Sequence, residues 1–305
     1  MITLPVVAAV DGSDDSLRAL EWALAAALLR TAPLRVVHVR GHPHREQPDV
    51  AVAGPAERAE DPVLDHVRAR LADRQGVPVM EYMTCDGAPD TVLPELGADA
   101  QLMVVGSRGR GGFASLLLGS TSLAVAGYAA CPVVVVPRPG REVHKGPPVE
   151  PGPRVVVGVD VDGPTEATLA FAFAEADRRH ALLHVISSYH WAPLEVWSAP
   201  GEVVSPAVDE DAVEEETRTL AAGLLAVHRE RHPHVRVDLS TPPGQAAGHL
   251  VAASEEAELV VVGRHRRRIP APARMIGSVT QAVLLHAASP VAVIPPTAGP
   301  ARTDG

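Results

Sequence analysis

The chain has 305 residues, 46% hydrophobic and 21% charged, and a formal net charge of −10. That length suggests two domains, and the composition is ordinary for a folded protein and argues against wholesale disorder. The acidic balance disfavours a general nucleic-acid-binding role, because phosphate backbones select basic surfaces; one local basic run stands out, Arg264–Arg268.

In chain order, an apolar run at Pro5–Val10 reads as a strand and ends on Asp11. In Ser13–Arg30, Leu17, Leu20, Leu24 and Leu28 recur at helical spacing, with Ser13 or Asp14 as N-cap. A strand follows at about 34–39, then a polar, proline-containing stretch and a helix at about 62–75. Strands are expected at about 77–83, 102–106 and 133–137, with a helix at about 120–130 before the last. The central strands are unbroken apolar runs rather than alternating ones. That is the mark of a parallel sheet covered by helices on both faces.

The chain then repeats itself. Pro5–Ser13 resembles Arg154–Gly163, Leu34–Val39 resembles Ala181–Val185, and Leu102–Gly106 resembles Leu259–Gly263. Leu118–Val125 resembles Ile276–Val283, and Cys131–Pro137 resembles Ser289–Pro295. The offsets are 149 at Asp11 and Asp160, 146 at His38 and His184, 157 at Gly106 and Gly263, and 158 at Gly119 and Gly277. The repeat is therefore a whole domain, not a solenoid unit. The expected fold class is α/β: two tandem, open, doubly wound five-stranded parallel sheets of Rossmann-like type, with ligands at the carboxyl ends of the strands. The expected boundaries are a first domain at 1–138, a Pro/Gly-rich linker at 139–152, a second domain at 153–296 and a tail at 297–305. Val133–Val136 and Val291–Ile294 are expected to be last in their sheets, and exposed edges invite the two halves to pair with each other. A homodimer is a further expectation.

The most informative segment is Gly106-x2-Gly109-x9-Gly119-Ser120. Gly106 ends a buried strand, Gly111 and Gly112 follow Gly109, and Gly119-Ser120-Thr121 opens a helix. Glycines let backbone N–H groups approach a phosphate closely, and a helix N-terminus offers it free donors and a positive dipole end. The Ser120 and Thr121 hydroxyls add donors, and Arg108 and Arg110 add charge. On the bland reading, Gly106 is a turn and Ser120 only caps a helix; the loop's place after the fourth strand favours the anion site. The chain has neither GxxxxGK[ST] nor a GxGxxG after its first strand, which excludes a Walker-type NTPase and a standard dinucleotide fingerprint.

On these residues the sequence resembles the universal stress protein family in its tandem two-domain form. The family's ATP-binding members carry G-x2-G-x9-G-(S/T), and residues 106–120 match at full spacing. The resemblance covers residues 5–137 and 154–295 and rests also on Val10-Asp11-Gly12-Ser13, His38-Val39 and Cys131-Pro132. It implies that Asp11 and Val39 sit at adenine and ribose. Gly106 and Gly109 would lie along ribose and phosphates, and Gly119, Ser120 and Thr121 would hold the phosphates. The implied ligand is ATP, with or without Mg. Asp11 has a second reading as N-cap of the first helix.

The second half keeps Asp160, Val185, Gly263, Gly277 and Ser278 as candidate site residues, but Arg266 replaces the second glycine. Ten residues, not nine, separate Arg266 from Gly277, and Pro270 and Pro272 remove backbone donors. Either this copy is degenerate and supports the tandem fold, or Arg264, Arg266, Arg267 and Arg268 replace backbone donors with guanidinium groups.

Other candidates are weaker. His228, His232 and His234 read as solvated helix-end histidines rather than zinc ligands, and Asp209–Glu216 as an acidic helix start. Cys131 reads as a buried small residue and Cys85 as a loop residue. Two cysteines give neither a disulfide framework nor a CxxC motif. The N-terminus lacks signal-peptide features and no run reaches a membrane span, so a cytoplasmic protein without membrane or nucleic-acid partners is expected. No Ser/His/Asp or Cys/His arrangement appears. The leading functional expectation is an ATP-binding regulatory or stress-response protein. The alternatives are a slow ATPase or nucleotide-dependent transferase on the same fold, and a nucleotide-independent tandem scaffold.

Overall fold

The computed structural model describes residues 3–41, 61–109, 117–139, 152–163, 165–189, 196–197, 203–204, 209–264 and 276–296. The first half runs β1 (Val6–Ala9), α1 (Asp14–Leu29), β2 (Leu34–Arg40), α2 (Pro62–Leu71), β3 (Met80–Asp86), α3 (Pro89–Leu96), β4 (Leu102–Gly106), α4 (Ser120–Tyr128) and β5 (Val133–Val136). The second half runs β6 (Arg154–Gly158), α5 (Glu166–Arg179), β7 (Leu182–Ile186), a two-stranded ribbon of β8 (Val196–Trp197) and β9 (Val203–Val204), then α6 (Glu210–Arg231). It closes with β10 (Val237–Ser240), α7 (Ala246–Ala253), β11 (Leu259–Gly263), α8 (Ser278–His286) and β12 (Val291–Ile294).

Each half is a five-stranded parallel sheet, as the apolar runs require. The strand order across both is β10-β7-β6-β11-β12-β5-β4-β1-β2-β3. The halves meet through their last strands: β12 pairs antiparallel with β5, with Val293 opposite Val133 and Val291 opposite Val135. Ten strands thus form one sheet, and neither edge expected at the seam is left open. The repeat in sequence has become a repeat in space.

Burial explains the strand composition. Every residue of β4 and β5 is buried, because helices cover both faces. Along α1 the buried stripe is Ala19, Leu20, Ala23, Leu24, Ala26 and Ala27. Leu28 matches the helical spacing but is 50% exposed; alanines fill the tight approach of α1 to the strands instead. Of the two expected caps, Ser13 and Asp14, helix α1 uses Ser13, whose side chain accepts from the Ser16 N–H. The seam is also closed above the sheet by charge. Arg30, at the C-terminus of α1, donates to the fully buried Glu175 of α5 at 2.6 Å. Arg178 and Arg179 bond the same carboxylate at 2.8 and 3.3 Å, and Arg179 lies over the Trp22 ring of α1 at 5.3 Å.

Three local expectations need correction. The helix expected at about 62–75 stops at Leu71, and Gly76 turns the chain at φ +71°. The strand expected at about 77–83 begins three residues later, at Met80, beyond Pro78 and an exposed Val79. Cys85 therefore lies in β3, half-buried, not in a loop. Helix α3 had no sequence expectation; its segment carries two prolines, Pro89 and Pro94. Pro89 stands in the first turn, where a missing N–H costs nothing, and parallel strands such as β3 and β4 need a crossover in any case. Among the described residues no helix is long and apolar enough to cross a membrane.

Candidate functional site

At the carboxyl ends of β1, β2 and β4 a cleft of about 510 Å³ opens in the first half. Its lining combines the ends of those strands, the starts of α1 and α3, and the loop from β4 into α4. Eight of the first-half residues singled out from sequence meet there: Asp11, Val39, Gly106, Arg108, Gly109, Gly119, Ser120 and Thr121. The sequence reading missed the apolar wall of Val37, Pro89 and Leu93. Two of those residues belong to α3, so the missed helix hid them.

Each polar element is held by a traceable bond. Asp11 is not the cap of α1; it braces the cap. Its Oδ1 accepts from the Ser13 N–H at 3.0 Å and from the Ser13 hydroxyl at 2.6 Å, and Gly12 makes the turn between them at φ +80°. At the other end of the cleft, the Gly119 N–H donates to Ser107 O at 2.8 Å. The Ser122 hydroxyl donates to Gly106 O at 2.7 Å. These two bonds fasten the first turn of α4 to the end of β4. Gly119 precedes α4 in extended geometry with no side-chain cap. The first N–H groups of the helix then have no acceptor within it and point outward.

The three loop glycines do different work. A Cβ on Gly106 would stand 2.7 Å from the backbone carbonyl of Asp15, so this glycine lets α1 cross β4 closely. Asp15 is itself buried, held by Arg138 at 2.8 Å and by Arg18. A Cβ on Gly109 would stand 2.5 Å from Asp11 Oδ2, inside the cleft. At Gly119 the nearest atom among the described residues is 3.5 Å away, so a methyl group fits there. Arg110, Gly111 and Gly112 lie outside the described residues.

Behind Val39, a buried carboxylate fixes the β2–α2 corner. Asp61 caps α2 by accepting from Val63 N at 3.1 Å and Leu64 N at 3.2 Å. It also accepts from His38 Nδ1 at 2.8 Å and the Thr84 hydroxyl at 2.7 Å. Burial opposes its ionisation, but the bonds from Thr84 and His38 outweigh it and hold the carboxyl below its ordinary value.

The second half repeats the skeleton and changes the lining. Gly263 ends β11, Gly277 caps α8, Ser278 opens that helix, and the Thr280 hydroxyl donates to Gly263 O at 2.9 Å. Asp160 is exposed and accepts from the Asp162 N–H at 3.1 Å. Val185 is fully buried, and strand register gives the reason. Val6 stands between Leu34 and Leu102 as Val155 stands between Leu183 and Leu259. Val185 is thus the counterpart of Val36 in the core, and Ser188 occupies the place of Val39. The shared His-Val pair at 38–39 and 184–185 is out of register. Arg264 reaches across the seam: its Nη1 donates to Ala126 O of α4 at 3.2 Å. Arg266, Arg267, Arg268, Pro270 and Pro272 lie outside the described residues, as do most of the linker and the tail.

The remaining candidates resolve simply. His228 is not solvated; it is 1% exposed, stacked on Phe173 at 5.3 Å and bonded to Glu166 at 3.2 Å. His232 pairs with Asp177, and His234 is exposed. Among the described residues no group of three or more potential metal ligands occurs. Asp209 caps α6 and the acids after it are largely exposed. Burial pushes the Cys131 thiol up to about 11.

A tandem α/β fold of nucleotide-binding type, with its cleft at the carboxyl edge, is the class these features define. The chain matches the universal stress protein family over residues 4–137 and 153–295. It is 34% identical to the universal stress protein Rv2005c of Mycobacterium tuberculosis, over 94% of this chain and 96% of that one. It is 32% identical to Rv2623 of the same organism, over 95% and 96%. The chain belongs to the universal stress protein family. Among solved structures, the functionally unknown protein PA1789 of Pseudomonas aeruginosa superposes with a TM-score of 0.63 at 17% identity, covering 96% of this chain and 93% of that one. A universal stress protein of Archaeoglobus fulgidus gives 0.60 at 17%, covering 95% and 98%. At such identity the likeness is one of fold.

Proposed function

We propose that the first-half cleft binds an adenine nucleotide, ATP, and that the protein acts as a nucleotide-dependent regulator whose occupancy partners read. The observation that carries this reading is the division of one cleft into two chemistries. Val37, Val39 and Leu93 form an apolar wall suited to a flat base. Gly109, the uncapped start of α4 and the Ser120 and Thr121 hydroxyls line the same cleft with donors suited to phosphates. Asp11, at the end of β1, suits a ribose hydroxyl or a base N–H, and Arg108 adds a cation. Mg is assigned no ligands of its own beyond the nucleotide's phosphates.

The test begins with the protein as isolated: release of nucleotide on denaturation, identified by mass, followed by calorimetric titration with ATP. Binding in the micromolar range, lost when Gly109→Val and Gly119→Val are combined, supports the reading. No binding, or equal binding by that variant, refutes it. Phosphate release in the same samples separates a binding regulator from a slow ATPase.

A further inference from the structure

Arg264 marks a link between the halves that the family's phosphate-loop pattern does not contain. It follows β11 in the second half, where its backbone N–H donates to Ile294 O and holds the residue at the end of β12. Its guanidinium crosses the seam and donates to Ala126 O, in the last turn of α4. That carbonyl needs an outside donor. Helix α4 ends at Tyr128, and the Ala129 N–H is taken by Val125 O, so the carbonyls from Ala126 onward have no intrahelical partner. A cation at a helix C-terminus also complements the helix dipole. The other end of this nine-residue helix carries Ser120, Thr121 and Ser122 into the first-half cleft. The first turn is anchored to β4 by Gly119 and Ser122, and the last turn to the second half by Arg264.

We propose that Arg264 is a positioning residue for the first-half site: the second half's loop, having lost the glycine spacing, lends its cation to seat α4, and the two halves are thereby coupled. Displacing the 264 segment releases the C-terminal turn of α4 and turns its N–H groups away from the cleft. This rests on the reading of the cleft as a nucleotide site, and the experiment keeps the two apart. Wild type, Arg264→Met, Arg264→Lys and a control, Arg154→Met, are compared. The control removes an equal charge from an exposed pair with Glu256 at the far end of β6. ATP affinity is measured by calorimetry. Hydrogen exchange of the α4 amides is measured without ligand, so that it reports on Arg264 even if ATP does not bind.

The expected result is that Arg264→Met weakens ATP binding about threefold to tenfold and speeds exchange in α4. Arg264→Lys recovers part of both effects, and Arg154→Met changes neither. Unchanged exchange in α4 overturns the proposal. So does a fall from two bound nucleotides to one with the remaining affinity unchanged, which would place Arg264 at an anion site of its own half. If wild type binds no ATP, the reading of the cleft fails and the exchange comparison still decides the role of Arg264.

Discussion

Gly106 and Gly109 belong to one sequence motif, yet substituting each should damage a different property. In Gly106→Ala the new methyl group would stand 2.7 Å from both the carbonyl carbon and the oxygen of Asp15. Those are backbone atoms of α1, and α1 cannot back away freely. Asp15 is pinned by Arg138 and Arg18, and the helix packs on β4, with Ala19 and Leu20 in one buried cluster with Leu102 and Val104. Overpacking of this kind costs about 1–3 kcal/mol. The entropy gained by removing a glycine from the unfolded chain returns at most about 1 kcal/mol of it. At roughly 2–4 °C per kcal/mol for a chain of this size, the melting temperature should fall by several degrees. In Gly109→Ala, among the described residues, the methyl group meets only the Asp11 carboxylate, closest at Oδ2, at an exposed loop position. Stability should stay within about 0.5 kcal/mol of wild type. Asp11 or the loop must shift, however, and both line the cleft. Loss of one charge-assisted contact lowers ATP affinity roughly tenfold to a hundredfold. Urea unfolding and ATP titration of both variants give four numbers. A stable Gly106→Ala that binds ATP weakly would refute the separation of roles, as would a destabilised Gly109→Ala with normal affinity.

Other consequences follow from groups around the site and the seam. Glu175→Gln leaves Arg30 buried without its counter-charge and should cost about 3–5 kcal/mol. Adding Arg30→Met should restore much of that in urea unfolding, whereas simple additivity of the two losses would contradict the account. Asp61 has a folded pKa held below its ordinary 3.8, so the proton is bound more tightly in the unfolded chain. Its contribution is fully present above 3.8 and is lost as pH falls through the lower folded value. Unfolding midpoints of wild type and Asp61→Asn should therefore converge in acid, and a constant gap would exclude the mechanism. Cys131 is 5% exposed with its thiol raised to about 11, whereas Cys85 is half-buried. A thiol reagent at neutral pH should label Cys85 first, and equal rates read by peptide mass would show the β5 entry to be open.

What was legible in the sequence was local or periodic. The unbroken Val runs predicted parallel strands, Ser13 predicted the start of α1, and the spaced glycines predicted one end of the cleft. Of the apolar end only Val39 was legible; Pro89 and Leu93 were not, because they depend on α3, whose prolines disguise a helix that parallel topology requires. Nor was the true alignment of the halves. A matching His-Val pair suggested that Val185 stands where Val39 does, but strand pairing, a non-local property, puts Ser188 there. His228 looked like a solvated helix-end histidine because nothing nearby in sequence announces that Phe173 will stack on it.

The same distinction bears on why a second half with an altered loop remains attached to an intact one. Its sheet supplies the partner that closes the exposed edge of β5, and its helix α5 supplies the carboxylate that neutralises Arg30. Neither role requires a phosphate loop, so substitutions in that loop do not disturb them. What they change is the donor set. Where Gly106 is followed by Ser107, a buried residue whose carbonyl holds Gly119, Gly263 is followed by Arg264, whose side chain is long enough to reach α4. An arginine in the place of Ser107, which would be incidental in an isolated domain, becomes, at a seam, a way for one half to act on the other. Under that logic, exchanging the second half for a copy of the first would preserve the ten-stranded sheet but loosen α4, measurable as faster amide exchange in its last turn.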